Sequence, residues 1–312
     1  VSLTSVEICT GGGGQAIGLE QAGFEHLGVA EIDKDACATL RLNRPGWKVI
    51  EGDIRDLDGH QFDGVDLFAG GVPCPPFSVA SKQLGAEDPR NMFPAALDLI
   101  RDARPRAVLL ENVKGLSEKK FNGYRTWLAM SLTSMGYMVS MRLLQAADYG
   151  VPQLRPRFII VAFRDPFSAG QFVWPGSVPQ PPQSVGQVLY RYMAARGWPG
   201  AWRWAKQADR IAPTIVGGSK KHGGPDLGPT RARAQWMAMR VNGISLASMA
   251  PGPDEPMDHI PRLTLPMVAR LQCFPEHWAF MGNKTARYRQ IGNALPPPVA
   301  RALGDAIAEA LR

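Results

Sequence analysis

The sequence predicts an α/β fold, a mostly parallel Rossmann-like sheet joined to a second, smaller and loop-rich domain, and three observations predict it. Short apolar strands alternate with amphipathic helices through the first 163 residues, which is the signature of a parallel sheet covered on both faces. A run of four glycines, Gly11 to Gly14, follows the first strand and opens a helix. From about Pro166 the pattern breaks into prolines, glycines and tryptophans with little periodicity.

The elements are read in order. Val6-Glu7-Ile8-Cys9 is a strand, followed by a helix from Gln15; Gly28-Val29-Ala30-Glu31 is the second strand, followed by a helix through Leu40. Asp53-Ile54 closes a third strand. Val65 to Phe68, Ala107 to Leu110 and Phe158 to Val161 complete the apolar runs. After three prolines at 296–298, Val299, Leu303, Ile307 and Leu311 recur at helical spacing, so a closing amphipathic helix packs back on the sheet. These assignments divide the chain into a catalytic domain of residues 1–169 plus 279–312 and a small domain of residues 170–278.

The chain has 312 residues, enough for a substantial core, and a formal charge of +7. Most of the excess lies between Arg164 and Asp258, where eleven Lys/Arg face six Asp/Glu. That segment also holds Trp174, Trp198, Trp202, Trp204 and Trp236, which a small domain needs as core anchors more than as base-stacking surfaces. A polyanionic partner is compatible with this balance. No apolar stretch approaches the roughly 20 residues that span a bilayer, so a cytoplasmic protein is expected. The four cysteines, Cys9, Cys37, Cys74 and Cys273, are scattered without CxxC or histidine partners, which suggests neither a zinc site nor a disulfide framework.

In a parallel sheet, ligands bind at the carboxyl ends of the strands. The glycine turn lets backbone approach a ligand closely, and Glu31, 20 residues after Gly11, ends the second strand where a carboxylate can meet ribose hydroxyls. A dinucleotide, or a plain flexible turn with a surface acid, fits the same residues. The glycines do not follow the GxGxxG spacing used for a pyrophosphate, and Asp53 is placed to accept from an adenine amino group; both lean towards S-adenosyl-L-methionine.

Asp66 to Ser78 reads DLFAGGVPCPPFS, a strand running into a stiff turn in which prolines flank Cys74. Isolated cysteines are usually small core residues, but these neighbours disfavour burial in a regular element and make Cys74 a candidate nucleophile. The segment from Val79 to Asn91 is polar and glycine-hinged, as a loop closing over a substrate would be.

At this point the sequence resembles the DNA (cytosine-5)-methyltransferase family, specifically its bacterial modification-type members. Glu7 to Gly14 with Gly18-Leu19 and Ala22-Gly23-Phe24 is similar to the family's first cofactor motif; Pro73-Cys74 to its nucleophile motif; Glu111-Asn112-Val113 to ENV; Gln153-Leu154-Arg155-Pro156-Arg157 to QxRxR. Arg262-Leu263-Thr264 through Gln272 resembles the motif after the recognition domain, and Gln290 to Pro296 the final cofactor motif. Cys9 stands where the family has phenylalanine, and Pro75 where it often has glutamine. The resemblance implies the S-adenosylmethionine-dependent methyltransferase fold and a methyl transfer to C5 of a flipped-out cytosine in double-stranded DNA, releasing S-adenosyl-L-homocysteine.

It also implies roles. Cys74, Glu111, Asn112, Arg155 and Arg157 are the catalytic set, with Glu111 at cytosine N3 and the exocyclic amine, Arg157 at O2, and both arginines as candidates to lower the thiol pKa. Glu111 also reads as the ion-pair partner of either arginine, and Asn112 as a turn residue after a strand. Cofactor contacts fall to Cys9, Thr10, Gly11, Gly13, Gly14, Glu31, Ile32, Asp53, Ile54, Pro73, Phe93, Asn293, Ala294 and Leu295. DNA contacts fall to Ser78, Ser81 and Lys82, and in the small domain to Lys220, Lys221, Arg231 and Arg233. An RNA (tRNA) cytosine methyltransferase and a catalytically silent DNA-binding relative are the rival readings. A cognate restriction endonuclease as functional partner, a monomeric state and a nucleoid-associated location in a bacterium are further expectations.

Overall fold

A computed structural model describes residues 2–73, 91–218 and 224–312. They form two compact units, the first of residues 1–144, 156–176 and 299–312, the second of residues 145–155 and 177–298.

The first unit is built on seven strands. In chain order they are β1 (Leu3–Ile8), β2 (Phe24–Glu31), β3 (Val49–Glu51), β4 (Leu67–Gly71), β5 (Ala107–Val113) and β6 (Met138–Gln145), then, after the short β7 (Gln153–Leu154), β8 (Pro156–Phe163). The sheet order is β3-β2-β1-β4-β5-β8-β6. The β1–β2, β1–β4, β2–β3 and β4–β5 pairs are parallel, while β8 runs antiparallel to β5. Central strands are apolar on both faces because helices cover both. On one face Val6, Ile8, Phe68, Val108 and Leu110 pack with Phe93, Leu97, Ile100, Leu128 and Leu132. These last residues come from α3 (Phe93–Ala103) and α4 (Asn122–Ser134), which the sequence reading had left without assignment.

The opposite face is covered by α1 (Gly14–Gln21) and the closing α11 (Pro297–Leu311), while α2 (Lys34–Asn43) links β2 to β3. Asp33 starts α2 by accepting hydrogen bonds from the Asp35 and Ala36 amides. The expected apolar stripe of α11 is buried at Val299, Leu303, Ile307 and Leu311, and Gly304 leaves room for Ala22 and Leu19 at its side. The third strand ends at Glu51, so Asp53 and Ile54 lie just beyond it, in a 3-10 turn that Asp53 caps.

The second unit carries short helices rather than loops alone: α6 (Val185–Ala194), α7 (Ala201–Gln207), α8 (Thr230–Met237), α9 (Leu265–Leu271) and α10 (Lys284–Asn293), with α5 (Pro166–Gln171) preceding them in the first unit. Its small sheet pairs β7 with β9 (Ala212–Pro213). Trp198, Trp204 and Trp236 are buried, and the first two donate indole N–H to the carbonyls of Pro256 and Arg240. Trp202 is exposed.

The division departs from the sequence boundaries in three places. Residues 170–176 stay with the first unit, where Trp174 donates to Ser140 and stacks edge-on against Phe172. Residues 145–155 and 279–298 belong to the second, because the side chains of Gln153 and Arg155 are bonded to residues there. Among the described residues no helix is long and apolar enough to cross a membrane.

Leu109 sits in β5 with no exposed surface. Leu109→Ala is expected to lower unfolding stability by about 2–5 kcal/mol, read from urea denaturation of both proteins.

Candidate active site

The strand order reverses at β1: the chain moves outward through β2 and β3, then returns to place β4 on β1's other side. A crevice at the carboxyl ends of β1 and β4 follows from that reversal. It gathers the glycine turn after β1 and the Gly71-Val72-Pro73 segment that leads to Cys74. Beside them, β5 ends in Glu111-Asn112-Val113.

Glu111 and Arg157 meet there as a buried ion pair, Nε to Oε1 2.6 Å, each side chain about one-tenth exposed. The antiparallel pairing is the cause. Arg157 lies opposite Val113 and Ile159 opposite Glu111, so Arg157 and Glu111 are diagonal neighbours on one face. Burial pulls the Arg157 pKa down, and the Glu111 carboxylate offsets part of that. A Cβ on Gly71 would lie 3.4 Å from Glu111 Oε2, so the start of the cysteine segment runs directly beside the carboxylate. Asn112 donates through Nδ2 to the Val72 carbonyl at 2.8 Å, two residues before Cys74, and accepts from the Val113 amide.

The glycine turn is locked by its neighbours. Gly11 and Gly13 have φ of 58° and 89°, a region costly for side-chain-bearing residues, and Gly13 N–H donates to the Thr10 carbonyl. Thr10 is tied back through its hydroxyl to the Glu7 and Ala30 carbonyls. Glu31 accepts from the Gly11 amide at 2.7 Å with one oxygen and from the Ile32 and Asp33 amides with the other. Burial raises its pKa, and those backbone bonds oppose the rise. Ile32, beside it, is 60% exposed, an apolar surface fit for an adenine ring.

Two residues that the sequence reading passed over also flank the turn. Glu7 in β1 and Gln15 in α1 are 1% and 4% exposed, and Glu7 Oε2 and both Gln15 amide atoms have no hydrogen-bond partner among the described residues. Burial, then the Glu31 charge, pushes the Glu7 pKa well up. Their signal was a charged residue inside an apolar run and an amide at the start of a buried helix. Buried polar atoms left unpaired among the described residues call for a polar partner. An exposed apolar shelf, a buried carboxylate and unpaired amide and carboxyl atoms at a glycine turn fit a nucleoside cofactor with a charged amino-acid end.

Three residues expected at the site make contacts within the fold. Asp53 is committed locally: its carboxylate accepts from the Arg55 amide and pairs with the Arg55 guanidinium at 2.5 Å, which holds its pKa below the usual range. Phe93 has no exposed surface and packs in the core, edge-on to Tyr124. Arg155 is fully buried in the second unit, donating to the carbonyls of Ile215, Gly292 and Ala294. A guanidinium held by main-chain carbonyls in this way positions backbone within the second unit.

Ile54 is buried, Cys9 adopts φ 53°, and Gly14 begins α1. Asn293, Ala294 and Leu295 lie at the end of α10 in the second unit. So do Arg231, exposed, and Arg233, half-buried, both on α8. Cys74, Ser78, Ser81, Lys82, Lys220 and Lys221 lie outside the described residues.

A mostly parallel sheet with a glycine turn at its switch point, a buried acid at the end of β2 and an acid–guanidinium pair beside the Gly71–Pro73 segment is the fold of S-adenosylmethionine-dependent methyltransferases. The model of the C-5 cytosine-specific DNA methylase family matches residues 3–309, and the chain belongs to that family. It is thus a DNA cytosine-5 methyltransferase. The chain is 53% identical over 314 residues to the Type II methyltransferase M.NaeI of Lentzea aerocolonigenes, covering 99% of this chain and 76% of that protein. It is 46% identical to the Type II methyltransferase M.NgoMIV of Neisseria gonorrhoeae, covering 100% and 99%. Among solved structures, a DNA modification methyltransferase encoded within an E. coli prophage matches in fold with a TM-score of 0.68 at 20% identity, over 99% of both chains.

The described cysteines are poor nucleophiles. Burial raises all three thiols, Cys37 to about 12 and Cys273 to about 11, and Cys9 is driven further by burial and by Glu31, Asp53 and Glu7. Brief iodoacetamide treatment at about pH 8 is expected to leave Cys9, Cys37 and Cys273 unmodified, as read by peptide mass spectrometry, because the thiolate is the reacting form.

Proposed function

We propose that this enzyme methylates C5 of a cytosine flipped out of duplex DNA at a specific sequence, with Cys74 as nucleophile. The observation that carries the mechanism is the buried Glu111–Arg157 pair beside the segment that leads to Cys74. Cytosine C5 is too weak a nucleophile for direct methylation. The Cys74 thiolate forms a bond to C6, and the C5–C6 π pair moves to C5, with charge shared onto N3 and O2 of the ring. With its carboxyl protonated, Glu111 donates to N3 and accepts from the exocyclic amine, and Arg157 donates to O2, so the acid proton and the guanidinium meet the charge as it develops. Bound at the glycine turn, S-adenosyl-L-methionine would supply an electrophilic methyl group on a sulfonium. Once C5 is methylated, a base, proposed to be water, removes the C5 proton, and that electron pair restores the double bond as the thiolate leaves.

Asn112 holds the backbone at Val72, two residues before Cys74 in the sequence. Glu31 and Ile32 hold the nucleoside of the cofactor, and Glu7 with Gln15 supply polar groups near its amino-acid end. A base inside the duplex cannot offer opposite faces to thiol and cofactor, so flipping at a cost of a few kcal/mol is part of the reading. Arg231 and Arg233, with Lys220 and Lys221, are proposed DNA contacts in a unit that serves as the recognition domain. The enzyme is proposed to act as a cytoplasmic monomer alongside a restriction endonuclease of the same specificity.

Cys74→Ser is expected to abolish transfer of labelled methyl groups while leaving duplex binding within a few-fold, measured by filter binding. Wild-type enzyme should form a covalent adduct with DNA containing 5-fluorocytosine, since fluorine blocks the elimination; active enzyme without adduct would overturn the mechanism. Glu111→Gln should lower kcat by roughly 10²-fold or more with a smaller change in KM for DNA. Labelling of tRNA with duplex DNA untouched would transfer the reading to RNA. Bisulfite sequencing of plasmid methylated in vitro identifies the target site.

A further inference from the structure

The carboxyl edge of the first unit carries charges to which the mechanism gives no task. Over its residues that unit holds nineteen Lys/Arg against twenty-one Asp/Glu, a slight acidic excess. Arginines there close on carboxylates: Arg44, Arg104 and Arg106 pair with Glu20, Asp63 and Asp66. The segment that follows Glu111-Asn112-Val113 is different. From 114 to 125 it holds Lys114, Lys119, Lys120 and Arg125 against Glu118 alone. Lys120 pairs with Glu118 at 3.0 Å, while Lys114 and Lys119 are exposed and have no carboxylate partner among the described residues.

Position and rigidity set these two lysines apart from an ordinary solvated face. β5 lies parallel to β4, so the chain leaving β5 emerges at the edge where Glu111 sits. Three residues span about 11 Å at most, which keeps the Lys114 backbone within that reach of Glu111. Two 3-10 turns follow, Lys114–Ser117 and Lys119–Phe121, before α4 begins. Leu116, with no exposed surface, anchors the first turn in the core. Arg125 of α4 braces the segment, donating to the Leu116 carbonyl at 2.5 Å and the Glu118 carbonyl at 2.8 Å. Its guanidinium is thereby committed to backbone, which leaves the Lys114 and Lys119 ammonium groups as the charges this edge presents.

We propose that Lys114 and Lys119 contact phosphates of the target strand beside the flipped cytosine, and so hold that strand against an otherwise acidic unit. This inference rests on the proposed placing of the cytosine at Glu111 and Arg157. A flipped nucleotide stays joined to its strand through a phosphate on each side, so a base seated at Glu111 brings those phosphates to this edge. They meet a unit whose net charge repels a polyanion, and local cations reverse the sign of the field where the strand must lie. A lysine ammonium is a point charge on a flexible stem, suited to a phosphate whatever base it carries.

The test uses the full chain and a duplex carrying the site mapped by bisulfite sequencing. Each lost phosphate contact lowers the slope of log affinity against log salt by about 0.9 in magnitude. Lys114→Gln and Lys119→Gln should each lower it by about that amount, whereas Lys114→Arg and Lys119→Arg should keep it. Lys48→Gln, at an exposed lysine just before β3 and so at the opposite edge of the sheet, should leave the slope as in wild type. Methylphosphonates, which replace one charged phosphate by a neutral group, locate the contacts. Beside the target cytosine they should weaken wild-type binding several-fold and cost a Lys→Gln variant little more at the phosphate its lysine would have met. An unchanged slope in Lys114→Gln or Lys119→Gln overturns the proposal, as do losses that simply multiply at every phosphate within three nucleotides of the target. A wild-type protein that methylates no duplex DNA overturns the proposed function itself, a result distinct from methylation whose salt dependence these lysines do not set.

Discussion

The buried pairing of Glu111 with Arg157 is the constraint on which the proposed chemistry of this enzyme depends. Removing one partner of such a pair leaves an uncompensated buried charge, typically at a cost of about 3–5 kcal/mol, so both side chains are held in place by the same interaction that prepares them for a substrate. The pair exists because β8 enters the sheet antiparallel to β5. The reversal lets residues from the start of one strand lie beside residues from the end of another, at the edge where a parallel sheet binds its ligands. A parallel β8 would have put its first residues at the opposite edge.

The cofactor cradle follows a similar economy. Glu31 is expensive to bury, yet three backbone N–H groups converge on it, and one of them belongs to the glycine turn. The carboxylate therefore fixes the turn by its own hydrogen bond to it. Glu7 and Gln15 are the converse, buried polar atoms with no partner within the described chain, and they mark where a ligand's polar end would complete the structure. Fold and binding site are thus stabilised by overlapping sets of hydrogen bonds.

Much of this was legible in residue order. Alternating strands and helices named the sheet, and the run from Gly11 to Gly14 with Glu31 named its ligand edge. The stripe of Val299, Leu303, Ile307 and Leu311 named the last helix. Other assignments were hidden for physical reasons. Asp53 and Arg55 are two residues apart, and whether such neighbours pair or face a ligand depends on side-chain conformation. Phe93 follows a segment assigned to the substrate, and only packing against Tyr124 and the core reveals that it is buried. Arg155 and Arg157 look equivalent in sequence. The chain passes from the second unit to the first between them, so one binds carbonyls and the other a carboxylate.

By itself the sequence determined the class of fold, the family and the chemical groups available, because these depend on periodicity and on short motifs whose residues are close in the chain. Only the tertiary structure decided which groups act together. Glu111 and Arg157 are separated by 46 positions, and Gln153 and Gln272 by 119. Such partners are chosen by strand direction, register and burial, which arise from the whole chain packing at once rather than from any local run of residues.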